Sequence, residues 1–152
     1  EIAGYRTPLF MTFKQAKEEG LNILKVRMGS MIGNTGPLYC TGVGKAILAF
    51  LPEAERGRLL AEIVFTACTP KTITGREELE TELAGIRCRG YAVDDCEHEP
   101  GVFCVAAPVF DSLGGVAGAV SVSGSELYLR DGQECIAAQV TAAARSISEL
   151  LR

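Results

Sequence analysis

The fold is decided by the stretch Gly101-Val-Phe-Cys104-Val-Ala-Ala-Pro-Val-Phe110-Asp111, which leads through Ser-Leu-Gly-Gly into Val116-Ala-Gly-Ala-Val-Ser121-Val-Ser123-Gly124. Two runs rich in Val, Ala and Phe, separated by a short Gly-containing turn, predict an antiparallel hairpin. Polar residues sit at strand positions inside both runs. This is typical of a strand pair that lines a pocket rather than one that only fills a core.

The pairing register predicts which side chains share a face. If Leu113 and Gly114 form the loop, Phe110 lies opposite Ala117, and Cys104 lies opposite Ser123. Because side chains alternate along a strand, one face carries small and weakly polar residues and the other a core set. The first face is Cys104, Ala106, Ala119, Ser121 and Ser123, with Ala106 opposite Ser121; the second is Phe103, Val105, Val109, Val116, Val120 and Val122.

A face of small residues leaves a void unless a helix or a ligand fills it, and voids cost stability. Asp94 and Asp95 end the strand before the hairpin, and alternation directs only one of them to this face. The pattern therefore predicts a small-molecule site. The alternatives are that the serines and the cysteine pack or bind nearby backbone, and that the two acids form a solvated turn.

The remaining pattern predicts helices around the hairpin. The first three predicted helices span Phe10 to Gly20, Lys45 to Leu51, and Pro52 to about Ile63. A fourth begins at a capping box formed by Thr74 and Glu77 and ends at Gly90, and a last helix begins at a capping box formed by Asp131 and Glu134. Predicted strands are Leu21 to Met28 and Tyr91 to Asp94. Because the central strands are joined by a hairpin, the pattern predicts a single α+β domain over residues 1–152, with an antiparallel sheet flanked by helices.

Gly42-Val43-Gly44-Lys45 stands at a helix start, where bare amide groups attract an anion. It is not a phosphate loop, since that motif needs Gly at position 39 and a hydroxyl at position 46, where this chain has Tyr39 and Ala46. A helix-entry turn or close backbone packing explains the two glycines equally well.

The amino-acid composition argues against several classes of function. The formal net charge of −4, with 15 dispersed basic residues, argues against direct nucleic-acid binding by these residues. Six cysteines without a signal peptide or a C-x-x-C motif predict a reduced, cytoplasmic protein, and no apolar run reaches the roughly 20 residues of a membrane span. The chain begins without Met, which suggests a piece of a longer protein.

The cysteines could serve a metal site or thiol chemistry. Cys96 with His98 offers too few ligands for a structural metal, so no metal or other cofactor is expected. Cys104 with His98 as base and Asp94 as orienter is a poor nucleophile, because a thiol among valines has a raised pKa. A thiol-dependent reductase using Cys96 and Cys104 remains the runner-up to a non-enzymatic function.

Several spaced blocks together resemble the effector-binding domain of IclR-family transcriptional regulators. They are Pro37 to Ala49, Thr72 to Thr74, Ile86 to Asp95, Gly101 to Asp111 and Ser121 to Gly124. The resemblance implies a GAF-like fold with a six-stranded antiparallel sheet flanked by helices. It also implies effector contacts at Gly42, Val43, Asp94, Cys104, Ser121 and Ser123. Against the family pattern, a strand and a turn are missing before the Gly-x-Gly-Lys block.

The function expected from the resemblance is sensing of a small organic effector: a carboxylate, an aromatic acid or a sugar acid. Its carboxylate is expected on the amides of Gly42, Val43 and Gly44, and its hydroxyl or carbonyl groups on Ser121, Ser123 and Asp94. DNA is expected to be bound only by an N-terminal winged helix-turn-helix that these residues do not include. A homodimer or homotetramer is expected; a dimerisation module without a working pocket is the other non-enzymatic alternative.

Overall fold

The computed structural model describes residues 35–151. In chain order these residues form α1 (Gly42–Phe50), α2 (Glu53–Glu62), α3 (Arg76–Arg89), β1 (Ala92–Asp95), β2 (Val102–Phe110), β3 (Val116–Ser125), α4 (Glu126–Leu129), a 3-10 turn (Arg130–Gly132) and α5 (Gln133–Leu150). The predicted α+β class is confirmed. The helix predicted from Phe10 and the strand predicted from Leu21 lie outside the described residues.

Within residues 35–151 the sheet has three antiparallel strands in the order β1-β2-β3, where the resemblance implies six. Helix α1 lies against β2 and β3, and α3 packs on α1. Helix α5 covers the other face, where Phe103 and Val105 meet Ala137, and Val109 meets Val140 and Ala144. Strand β2 is therefore buried on both faces. None of the helices in this range is long and apolar enough to cross a bilayer.

The hairpin interior has the predicted register, but its turn does not. Cys104 pairs with Ser123 and Ala106 with Ser121, as predicted. The turn takes five residues, 111–115, because the Asp111 carboxylate accepts hydrogen bonds from the N–H groups of Leu113 and Gly115, both at 2.9 Å. A bulge absorbs the difference, so that Phe110 faces Val116 instead of Ala117. Val116 therefore packs on the α1 side of the sheet, and not on the face of Phe103 and Val105 where the prediction put it.

Two predicted capping boxes are wrong, although the helices themselves are present. Helix α3 has Gly75 as its N-cap and α5 has Gly132, each one residue later than predicted and without a side-chain cap. Asp131 lies in the 3-10 turn that precedes α5. The predicted end of α3 is confirmed, since Gly90 adopts the left-handed conformation with φ of 85° and its N–H binds the Ile86 carbonyl.

Candidate functional site

A row of polar side chains crosses the sheet under α1. Asp94 on β1 pairs with Cys104 on β2, and Cys104 pairs with Ser123 on β3. Ala106 joins Ser121 in the next row. Asp94 and Cys104 are buried, whereas both serines are half-buried. Of the two adjacent acids, Asp94 is therefore the one on the face predicted to line a pocket.

The start of α1 lies directly on this row. A Cβ atom on Gly42 would come within 2.8 Å of the Cys104 Sγ, and one on Gly44 within 2.6 Å of the Leu38 Cα and carbonyl oxygen. Both distances are shorter than real Cβ contacts, so each glycine permits a close approach that another residue would prevent. Close packing thus accounts for both glycines of the Gly-x-Gly sequence.

The amide groups of this helix start are only partly free. The Gly44 N–H donates to Thr41 Oγ1 at 3.2 Å, so Gly44 is the least available of the three amides expected to bind a carboxylate. Gly42 and Val43 belong to the first turn, whose N–H groups have no carbonyl four residues earlier within the helix. Val43 is half-buried. An anion at this position therefore has two amides to bind.

The packing also restricts where a ligand fits. Gly42 already fills the space above Cys104, so a ligand cannot lie between these two residues. The half-buried Ser121 and Ser123 are the more accessible end of the polar row. Space for a small molecule is therefore expected over β3, beside the first turn of α1.

A buried ion pair lies beside the row and was missed from the sequence. Lys45 is 1% exposed, and its Nζ donates to Glu97 Oε1 at 2.5 Å. Glu82 Oε1 lies 3.8 Å from the same nitrogen. The other Glu97 oxygen, Oε2, is buried without a hydrogen-bond partner among the described residues. Nothing in a loop sequence such as Cys96-Glu-His-Glu distinguishes a buried acid from a solvated one.

Burial dominates the electrostatics of Asp94. Desolvation raises the pKa of this carboxyl to about 6, although the N–H groups of Glu97 and His98 and the charge of Lys45 all lower it. Its Oδ1 accepts from the Glu97 N–H at 2.7 Å. Because the ionised form is costly here, a donor supplied by a ligand would offset part of that cost.

Asp95 has a different environment. It points away from Asp94, accepts from Arg130 Nη1 at 2.8 Å and from Lys71 Nζ at 3.2 Å, and is partly exposed. These hydrogen bonds, with that of Arg130 first, lower the pKa of its carboxyl. Asp95 is therefore part of a surface ion-pair group and not of the polar row.

The thiols do not support the redox alternative. Burial raises the pKa of Cys104 to about 11, and burial also raises the pKa of Cys96. Cys104 lies against Gly42, whereas the Cys96 Sγ contacts Glu126 Oε2 at 3.3 Å, and both thiols are free. Protonated thiols with different neighbours are poorly suited to a redox pair or to nucleophilic attack.

A wider groove of about 930 Å³ lies between the hairpin turn, the end of α3 and α5. Arg87, Arg89 and Arg145 line it together with Phe50 and Phe110. None of the six residues expected to contact an effector lines this groove. It is therefore separate from the polar row.

Comparison with known proteins identifies the class to which this α+β domain belongs. Residues 18–149 match the family model described as the bacterial transcriptional regulator IclR C-terminal domain. The chain therefore belongs to the IclR family of transcriptional regulators and corresponds to their effector-binding domain.

Individual relatives are similar over most of this chain. The "Uncharacterized HTH-type transcriptional regulator RhmR" of Escherichia coli is 38% identical over 136 residues, which are 85% of this chain and 52% of RhmR. KdgR of Dickeya chrysanthemi is 36% identical over 84% of this chain and 42% of its own. The chain thus spans about half the length of the curated relatives it matches.

Solved structures agree on the fold. The C-terminal domain of Escherichia coli KdgR superposes with a TM-score of 0.74 at 36% identity, covering 79% of this chain and 74% of that one. The Thermotoga maritima IclR superposes with a TM-score of 0.70 at 36% identity, covering 82% and 53% respectively.

Proposed function

We propose that this domain binds a small organic acid over β3 and transmits its presence to DNA binding by the regulator. The observation that carries the proposal is the alignment of Asp94, Cys104 and Ser123 on three adjacent strands beneath the start of α1. A non-enzymatic role fits the regulators to which the chain is similar.

The polarity of the site favours an acid that also carries hydroxyl or carbonyl groups. A carboxylate binds the first-turn amides of Gly42 and Val43, which have no carbonyl partner within the helix and lie where the helix dipole favours negative charge. The hydroxyl groups of Ser121 and Ser123 can donate or accept, and Asp94 accepts from a hydroxyl of a ligand long enough to extend past Gly42 to β1. Cys104 is a weak donor beneath them.

Switching requires that the effector bind two states of the regulator with different affinities. We propose that the states differ in how these domains assemble as dimers or tetramers, and that DNA is contacted by another part of the protein. The net charge of −4 fits a domain that senses and assembles without touching DNA.

The test is a thermal-shift panel on the metal-free 152-residue chain, with small carboxylates, aromatic acids and sugar acids. Specific binding stabilises the folded state by about 2.7 kcal/mol at about a hundredfold excess over Kd. The double variant Ser121→Ala with Ser123→Ala should keep its melting temperature without ligand. Its affinity for a hit should fall by roughly 1–3 kcal/mol for each buried hydrogen bond lost.

The matched control is Ser112→Ala, since Ser112 is exposed in the hairpin turn, away from the polar row. It should bind a hit as the unchanged protein does. A hit whose affinity is the same in the double variant would refute this position of the site. A panel with no shift at millimolar concentrations would refute ligand binding and leave a domain used for assembly alone.

A further inference from the structure

Two cysteines and the only histidine meet at the edge of the domain, in an arrangement that the function proposed above does not use. Cys40 precedes α1, Cys68 lies in the segment between α2 and α3, and His98 lies in the loop between β1 and β2. The Cys40 Sγ is 3.8 Å from His98 Nδ1, and one ligand atom from each of the three residues lies within 4.8 Å of the other two.

We propose that Cys40, Cys68 and His98 form a Zn²⁺ site with an open fourth position. Zinc takes thiolate sulfur at about 2.3 Å and imidazole nitrogen at about 2.0–2.1 Å in a tetrahedron. These bond lengths place sulfur and nitrogen about 3.5 Å apart, and two sulfurs about 3.8 Å apart. The 3.8 Å between Cys40 Sγ and His98 Nδ1 needs only a small contraction to reach that geometry, and the two separations from Cys68, each within 4.8 Å, need to shorten by at most about 1.3 Å.

Hydrogen bonds between the three segments hold the ligands close before any ion binds. The Tyr39 hydroxyl, next to Cys40, donates to the Thr66 carbonyl at 2.8 Å and accepts from the Thr66 N–H at 3.0 Å. Thr72 Oγ1 accepts from the Cys68 N–H at 3.0 Å and donates to the Glu97 carbonyl, next to His98, at 2.6 Å. Such supporting contacts are what a metal site needs to keep its ligands in place.

The outer face of the cluster is open. Cys40 is fully buried, His98 is half-buried and Cys68 is exposed. An ion can therefore enter past Cys68, and water or a solute donor can take the fourth position. Both sulfurs and the imidazole are ligand types that suit zinc.

A second group of possible ligands, Asp95, Cys96 and Glu126, is a weaker candidate. The Arg130 guanidinium already binds both carboxylates, with its Nη2 at 2.6 Å from Glu126 Oε2. A cation would have to displace this bound charge. In the cluster of Cys40, Cys68 and His98, by contrast, no ligand forms an ion pair with a cationic side chain of the described residues, and both thiols are free.

The experiment measures Zn²⁺ and Co²⁺ binding by the 152-residue chain under a phosphine reductant, which prevents a disulfide between Cys40 and Cys68. We expect one Zn²⁺ retained per chain after gel filtration, and a thiolate-to-cobalt charge-transfer band when Co²⁺ replaces it. In Cys68→Ser and in His98→Gln the affinity for Zn²⁺ should fall by more than about tenfold. Loss of a residue that only hydrogen-bonds to a metal ligand already costs that much, so loss of a ligand itself should cost more.

The matched controls are Cys135→Ser, an exposed cysteine outside the cluster, and Cys96→Ser, which tests the second group. Both should bind metal as the unchanged chain does. Circular dichroism checks that each variant is folded; because Cys68 is exposed, Cys68→Ser decides the question even if His98→Gln unfolds. The proposal would be overturned if the unchanged chain does not retain zinc, or if Cys68→Ser binds zinc with the same affinity as the unchanged chain. It would also be overturned if the cobalt band is lost in Cys96→Ser and kept in Cys68→Ser.

The outcome is independent of the effector panel. A metal site without an effector hit, or an effector hit without metal, would separate the two proposals, since the serine and the cysteine variants change different side chains.

Discussion

Lys45 and Glu97, 52 residues apart in the chain, form an ion pair with 2.5 Å between Nζ and Oε1 and almost no exposure to solvent. The pair connects the helix that begins at the polar row to the loop that follows β1. Because one Glu97 oxygen has no hydrogen-bond partner among the described residues, the two charges depend largely on each other.

Breaking this pair should be costly. Lys45→Met leaves the Glu97 carboxylate buried without its cation, so the free energy of unfolding should fall by roughly 3–5 kcal/mol in urea titrations. Adding Glu97→Gln to that variant should restore part of the loss. The control is Arg58→Ala, which removes an exposed pair with Glu62 and should change stability by less than about 1 kcal/mol. Equal effects of Lys45→Met and Arg58→Ala would contradict a buried pair.

Two glycine substitutions should have opposite signs. Gly44→Ala places a methyl group 2.6 Å from the backbone of Leu38, which cannot move as a side chain can, so the melting temperature should fall. Gly57→Ala, inside α2 with nothing within 4 Å, should stabilise by about 0.5–1 kcal/mol through helix propensity. Thermal unfolding of both variants checks the signs. Stabilisation by Gly44→Ala would show that α1 does not lie so close to Leu38.

Ser148 supports the bulge of the hairpin. Its hydroxyl accepts from the Phe110 N–H at 2.9 Å and donates to the Ala144 carbonyl at 2.8 Å. Ser148→Ala leaves the Phe110 N–H without this partner, at a cost of roughly 1–3 kcal/mol in the free energy of unfolding. Ser146→Ala, on the exposed face of the same helix, is the control and should cost nothing. Identical stability of the two variants would mean that water replaces the lost bond.

Asp95 should contribute acid-sensitive stability. Its hydrogen bonds to Arg130 and Lys71 lower the pKa of the folded state below that of the unfolded chain. The contribution is therefore present above the unfolded pKa, near 3.9, and is lost as pH falls through the lower folded value. Asp95→Asn should lower the melting temperature at pH 7 and make less difference in strong acid. A difference that grows on acidification would contradict this sign.

Much of the hairpin could be read from the residues alone. The alternation of Cys104, Ser121 and Ser123 with valines predicts which side chains share a face. A loop at Leu113 and Gly114 predicts that Cys104 lies opposite Ser123, as observed. The turn could not be derived in the same way, because Asp111 binds two N–H groups of the loop and lengthens it by a bulge. The starts of α3 and α5 also differ from the prediction, since Gly75 and Gly132 are the N-caps in place of Thr74 and Asp131.

The sequence by itself determined the α+β class, the hairpin register and the helices around it, because these follow from local periodicity and from residues such as Gly90 that end an element. Only the tertiary structure decided that Lys45 and Glu97 are buried together, that Gly42 closes the space over Cys104, and that Cys40, Cys68 and His98 meet. Lys45 and Glu97 are 52 positions apart in the chain, Gly42 and Cys104 are 62 apart, and Cys40 and His98 are 58 apart. Such contacts depend on how whole elements pack, which no spacing along the chain encodes.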